Sequence, residues 1–260
     1  MKFLCLHGSI GNTDNFSIQL APLEKDLAQD HAASFRYMNA PVEVDPPHGF
    51  ETYFGIGPHY RWLTDGGLGA LGLLERIRSL PTGDTPEDVM RKLLLGGRDA
   101  DTNDIIIDST RSVLELLHRV LEDDPEIEGI VGYSEGSCLG STLIMDEIRR
   151  HVESGRQRRI KCAIFFTGWP PLGADSMPVL SDESDFRIDI PSLHVIGANA
   201  DPYKNGAVAL YNLCDDNTAK LFDTGKGHTI PRGGMVIHEL ADAVREMIEN
   251  VRDGSSVEES

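Results

Sequence analysis

The sequence predicts an α/β fold, a mainly parallel sheet of about six strands flanked by helices on both faces. Three observations carry this expectation. Short apolar runs alternate along the chain with amphipathic stretches of helical length, the order a parallel sheet requires. The short runs are apolar without alternation, as expected of strands covered on both faces. The 260 residues are also enough to bury roughly three quarters of the unfolded surface, so a core holds the chain without disulfides or metal.

The elements follow in order. Lys2 to Leu6 reads as a strand. A helix from about Thr13 to Gln29 carries Ile18, Leu20, Leu23 and Leu27 as its apolar residues. Phe35 to Met38 is a second strand. Residues 39–83 fit neither period; the segment is rich in Pro, Gly and aromatics and reads as irregular, a possible pocket or lid segment. Thr85-Pro86-Glu87 opens a short helix with an acidic first turn, ending near Gly96-Gly97. A longer helix spans about Asn103 to Asp123, with Ile107, Val113, Leu117 and Leu121. Ile127 to Val131 is a strand, Ser137 to about Val152 a helix, and Cys162 to Phe166 a strand. Leu193 to Ile196 is a strand, followed by a helix near Asn205 to Cys214. Lys220 to Phe222 is the last strand and Gly234 to Val251 the closing helix. The expectation is one domain over 1–252, with 253–260 a flexible tail.

Charge and cysteine usage narrow the function classes. With 24 Lys+Arg against 42 Asp+Glu the net charge is −18, which disfavours nucleic acid and anionic membrane as partners. The four cysteines (Cys5, Cys138, Cys162, Cys214) share no C-x-x-C spacing, which points to a reduced compartment without disulfides or a zinc site. The N-terminal apolar run is too short for a signal-peptide core, and no run approaches the roughly 18 apolar residues of a membrane span. A cytoplasmic location is expected. The basic cluster Arg149, Arg150, Arg156, Arg158, Arg159 and Lys161 lies at the far end of a helix, where cations complement the dipole; that reading is preferred to a docking patch for a carrier domain.

In an open parallel sheet, chemistry gathers in loops beyond the strand C-termini. Gly132-Tyr133-Ser134-Glu135-Gly136 stands at such a place, with a strand directly before it and a small-residue helix directly after. That is the context of a nucleophile elbow. Glycines two residues either side of the serine relieve clashes in the tight turn, and the helix N-terminus favours developing negative charge.

A serine hydroxyl needs a general base. His228, in the loop between the last strand and the last helix, is at a sheet-top position late in the chain. His118 and His151 read as solvated helix faces, and His194 as a satisfied core histidine. His31, His48 and His59 lie in connecting segments. Asp201, just past the strand ending at Ile196, is the acid placed to orient the imidazole; Asp189, Asp215 and Asp216 lie at the wrong end of strands. The order Ser134, Asp201, His228 is that of α/β-hydrolases. The backbone N–H of Glu135 is one expected oxyanion donor. The loop after the first strand supplies the second, from Ser9 or Ile10. His7 reads either as a loop-holding residue or as a polar residue closing the strand. No metal or organic cofactor is required by this chemistry.

Leu4-Cys5-Leu6-His7-Gly8, the Gly-Tyr-Ser-Glu-Gly-Ser elbow, Phe166 to Pro171, Gly197 to Asp201 and Gly227 to Pro231 together resemble the fungal family serine hydrolases, small members of the α/β-hydrolase fold. The resemblance spans about residues 1 to 250. It implies an ester or thioester hydrolase with Ser134 as nucleophile, His228 as base and Asp201 as orienting acid. It also implies relatives that release finished polyketides from their synthases, including one of the statin pathway. The partners expected are therefore a small-molecule or carrier-bound acyl substrate, with transient contact to a synthase carrier domain. The alternatives are a general carboxylesterase acting on small diffusible esters and a non-catalytic ligand-binding relative. Ser-Ile-Gly-Asn after Gly8 departs from the family's usual aromatic there, which bears on substrate selectivity. Tyr53, Phe54, Tyr60 and Trp62 are candidate walls of an acyl pocket or else pack their loop onto the body. Trp169, after the strand ending at Phe166, is placed near the same rim.

Overall fold

The computed structural model describes residues 1–46, 48, 55–64, 82–95, 100–199 and 201–258. Six parallel strands form the main sheet: β1 (Lys2–Leu6), β2 (Ser34–Met38), β5 (Ile127–Tyr133), β6 (Cys162–Phe166), β7 (Ser192–Ile196) and β8 (Ala219–Asp223). Their order is β2-β1-β5-β6-β7-β8, so the chain runs outward from β1 to one edge and then returns to build the other. The described helices are α1 (Thr13–Leu27), α2 (Pro86–Leu95), α3 (Ala100–Asp123), α4 (Glu135–Ser154), α5 (Lys204–Tyr211) and α6 (Met235–Glu258).

The apolar strands divide their side chains between two core layers. Leu4, Leu6, Ile130, Ala163 and Phe165 face one side, with Val113, Leu117 and Leu121 of α3 and Leu139 and Leu143 of α4. Phe3, Cys5, Val131, Ile164 and Phe166 face the other, with Phe16, Leu20, Leu23 and Leu27 of α1 and Leu240, Val244 and Ile248 of α6. Period-two alternation thus sends consecutive apolar residues to opposite layers. Each large apolar side chain fully buried in this way contributes about 1.5–3 kcal/mol.

Several expectations shift. Ile18 is 66% exposed and Phe16 takes the buried place instead; spacings of four and three join residues 16, 20, 23 and 27, whereas 18 falls on another face. His118 is buried, with Nε2 2.7 Å from Asp146 Oδ2, so the solvated-face reading is corrected. Burial raises the Asp146 carboxyl pKa, but the hydrogen bonds from His118 and Arg149 and the charge of Arg150 outweigh it and hold the group below the usual range. His194 sits in the core with Nε2 3.0 Å from Ser192 Oγ, as a satisfied core histidine should. α3 begins at Ala100, and α6 runs on to Glu258, because extending a nucleated helix costs little.

The segment read as irregular contains a two-stranded antiparallel ribbon, β3 (Val42–Val44) with β4 (His59–Arg61). Tyr60 and Gly11 exchange backbone hydrogen bonds of 2.8 and 3.1 Å, fixing the ribbon to the loop after β1. Within the basic cluster, Arg149 and Arg150 pair with Asp146, Arg156 with Glu122, Arg158 with Asp189 and Lys161 with Glu128. No helix among the described residues is long and apolar enough to cross a membrane.

The seating of α4 on the sheet is a tight constraint. A Cβ on Gly136 would stand 2.0 Å from the Leu6 carbonyl oxygen. Gly136→Ala is expected to lower stability by about 2 kcal/mol or more, as overpacking against unyielding backbone does. Gly233, with nothing near its would-be Cβ, should accept alanine with a change within about 1 kcal/mol. Thermal unfolding of the two variants checks the contrast.

Candidate active site

The elbow is made by one residue. Ser134 stands between the end of β5 and the start of α4 with φ 53 and ψ −114. Its N–H donates to the Phe166 carbonyl at 3.0 Å, and its own carbonyl accepts from the N–H groups of Ser137 at 3.0 Å and Cys138 at 3.2 Å. The chain thereby reverses without losing backbone pairing, and the serine remains partly exposed. The flanking glycines are needed for space: a Cβ on Gly132 would lie 2.5 Å from Ser137 Cα, and one on Gly136 would strike β1.

Strain gathers along the same edge of the sheet. Ile10, Ser134 and Thr167 have φ of 59, 53 and 44, positive values that residues other than glycine rarely adopt, β-branched Ile10 and Thr167 least of all. They follow the C-termini of β1, β5 and β6, which are neighbours in the sheet. Each such residue costs of order 1–3 kcal/mol, and such strain concentrates at functional sites.

Asp201 and His228 meet beyond β7 and β8. His228 Nδ1 lies 3.1 Å from Asp201 Oδ2 and 3.3 Å from Oδ1, with the Asp201 side chain fully buried and the imidazole 18% exposed. Gly197 lets the two loops touch, since a Cβ there would fall 1.3 Å from the Lys226 carbonyl oxygen. The Tyr203 N–H donates to Asp201 Oδ1 at 2.8 Å, and the Tyr203 ring lies 4.4 Å from the imidazole. The Tyr133 hydroxyl donates to the His228 carbonyl at 3.1 Å. His228 Nε2 lies 3.4 Å from Thr167 Oγ1. Among the described residues no hydrogen bond joins Nε2 to the Ser134 hydroxyl.

The loop after β1 passes directly over the elbow, because a Cβ on Gly8 would lie 3.4 Å from Ser134 Cβ. Ser9 and Ile10 follow Gly8 in this loop. His7 holds this loop. Its Nδ1 is 2.7 Å from the Gly8 carbonyl and must carry the proton, while Nε2 accepts from the Ala40 N–H at 3.0 Å. Burial lowers the His7 pKa to about 4, opposed only by the Gly8 hydrogen bond, so the ring is neutral near pH 7.

The aromatic residues divide. Trp62 is fully buried and its indole N–H donates to the His7 carbonyl at 2.8 Å. It therefore packs the loop onto the body instead of forming an open wall, which corrects its assignment as a substrate contact. Tyr60 is partly buried against the core beside the same loop. Tyr53 and Phe54 lie outside the described residues. The Trp169 ring lies 6.2 Å from that of Tyr203, tilted by 46°, and Tyr203 in turn lies beside His228, so this row borders the Asp201–His228 pair. Sequence reasoning gave no role to Thr167, Tyr203 and Arg61; Thr167 lies within the Phe166–Pro171 motif, but its left-handed backbone leaves no mark in residue type.

A parallel sheet with a strained serine at a strand–helix elbow, and an Asp–His pair beyond later strands, defines a serine hydrolase of the α/β-hydrolase fold. The chain belongs to the family described as Serine hydrolase (FSH1), whose model matches residues 1–240. It is 25% identical to "Hydrolase phiM" of Fungal sp. (strain ATCC 74256) over 254 residues, covering 95% of each chain. It is 26% identical to "Esterase mokD" of Monascus pilosus over 151 residues, 55% of this chain and 50% of that one. The crystal structure of esterase PE8 shares the fold, with a TM-score of 0.51 at 17% identity, covering 95% of this chain and 92% of that one.

Two buried histidines give the protein an acid liability. His7 and His194 are lowered from 6.5 to about 4 and about 3, both chiefly by burial. Between 6.5 and those values the unfolded chain binds protons that the native state excludes, so stability is lost as pH falls through this window. For His7 alone the loss is about 3 kcal/mol. Urea unfolding from pH 7 to pH 4 should show His7→Gln with a shallower decline than wild type; an identical decline contradicts the assignment.

Proposed function

We propose that Ser134, His228 and Asp201 form the catalytic triad of an esterase or thioesterase working through an acyl-enzyme. The observation that supports it most directly is the Asp201–His228 hydrogen bond of 3.1 Å at the sheet edge that carries the strained Ser134. With Asp201 accepting the Nδ1 proton, Nε2 is left as the base. Turnover requires the imidazole to exchange its contact with Thr167 for the Ser134 hydroxyl, a tightening common when substrate binds. Nε2 then takes the hydroxyl proton as Oγ bonds to the carbonyl carbon. The oxyanion accepts from the Glu135 N–H and from that of Ser9 or Ile10, and each such donor is worth about 3 kcal/mol. The imidazolium returns its proton to the leaving alcohol or thiol. Water, deprotonated by the same nitrogen, attacks the acyl carbon; the carbon–Oγ bond then breaks, the imidazolium returns its proton to Ser134 Oγ, and the acid is released.

The substrate we propose is a polyketide-type acyl group, presented as a thioester on a synthase carrier domain in fungal secondary metabolism. Its support is the family resemblance of the five motifs, together with fungal hydrolase and esterase relatives. The pairing of the basic cluster with local carboxylates weighs against that cluster as the carrier's docking site.

Two measurements test the reading. Ser134→Ala should abolish labelling by a fluorophosphonate and lower turnover by about 10⁴-fold or more while the protein stays folded. A panel of acyl thioesters and short aryl esters should show the longer acyl thioesters turned over with the higher kcat/KM. Turnover of the aryl esters alone would instead mark a general carboxylesterase, and absence of wild-type labelling would mark a non-catalytic binder.

A further inference from the structure

The Glu135 side chain is 14% exposed, and that of its ion-pair partner Arg61 is 6% exposed, with Arg61 Nη2 3.7 Å from Glu135 Oε1. Two charges withdrawn from water to this degree cost stability unless their remaining bonding capacity is used. For Glu135, Oε2 accepts from the Trp62 N–H at 3.2 Å. Burial raises its pKa, while the Arg61 charge first and then hydrogen bonding favour the ionised form. Arg61 Nε has no hydrogen-bond partner among the described residues.

These partners, Arg61 and Trp62, stand at the end of β4 and directly after it. That segment is joined to the loop after β1 by the Gly11–Tyr60 backbone pair and by the Trp62 indole on the His7 carbonyl. Glu135 thus links the elbow, through Trp62, to the loop facing it. We propose that the Glu135 carboxylate is a positioning residue of the oxyanion hole: it ties the Arg61–Trp62 segment, which holds the loop after β1, to the residue whose own N–H is the opposing donor. The proposal rests on the triad reading above.

Glutamine at this place keeps the volume but removes the charge that faces Arg61 and replaces one acceptor oxygen with a donor, so the hold on the Arg61–Trp62 segment is weakened. In the full-length protein, Glu135→Gln should lower kcat on an aryl ester by about 10- to 100-fold, part of the loss seen when a donor is removed outright. KM should stay within about threefold, because the ground-state carbonyl makes little use of the hole. The inhibition constant of a trifluoromethyl ketone, which binds as a tetrahedral oxyanion adduct, should rise by the same factor as kcat falls. A merely structural role would change the melting temperature and leave that inhibitor's affinity in place.

Should Glu135→Gln fail to fold, Trp62→Phe removes the indole bond to the His7 carbonyl, the next link of the same tie, and the double variant Glu135→Met/Arg61→Met removes both charges together. Each is expected to lose kcat and inhibitor affinity in parallel. A folded variant of any of the three with wild-type kcat and wild-type inhibitor affinity overturns the proposal. Fluorophosphonate labelling of wild-type Ser134 separates the two levels: its failure removes the triad reading and this inference with it, whereas its success leaves the variants to decide.

Discussion

The contact on which the site depends is the close passage of α4 over β1, at the point where Gly136 meets the Leu6 carbonyl. It brings a helix N-terminus and a strand C-terminus to backbone distance, and Ser134 takes a left-handed φ of 53 to make the connection. Without side chains at 132 and 136 the turn closes. With it closed, the serine, the Glu135 N–H and the loop after β1 occupy one small volume. The two core layers above and below the sheet hold that volume rigid, because neither β1 nor β5 can move without disturbing both.

Rigidity at the loop has its own causes, which are polar. His7 bridges the Gly8 carbonyl and the Ala40 N–H, Trp62 caps the His7 carbonyl, and Tyr60 pairs with Gly11. These bonds satisfy buried polar groups that would otherwise lack partners beside the elbow. On the other side of the serine, the Asp201 and His228 loops touch through Gly197, and Tyr133 and Tyr203 confine the imidazole.

Much of this architecture was legible in the sequence, for reasons that can be named. Lys2–Leu6 and Cys162–Phe166 were read at their observed limits because doubly covered strands are apolar throughout and end abruptly in polar or glycine-rich loops. Ser134, Asp201 and His228 stood out because each follows a strand. What escaped was long-range or conformational. β3 and β4 are three residues each, and His59 and Arg61 look like surface residues until their partners across the chain are known. His118 could not be assigned to the interior without Asp146, twenty-eight positions away. The carboxylate of Glu135 was passed over because its position in the elbow drew attention to its backbone. Residue type also says nothing of the left-handed backbone at Ile10 and Thr167.

The most direct test is a crystal structure of the protein after reaction with a fluorophosphonate. Phosphorus should be bonded to Ser134 Oγ, with the phosphoryl oxygen accepting from the Glu135 N–H and from one N–H of the Ser9–Ile10 pair. His228 Nε2 should have left Thr167 for the serine oxygen. An adduct on a different residue, or one whose phosphoryl oxygen points away from Glu135 while the imidazole stays on Thr167, would contradict the account.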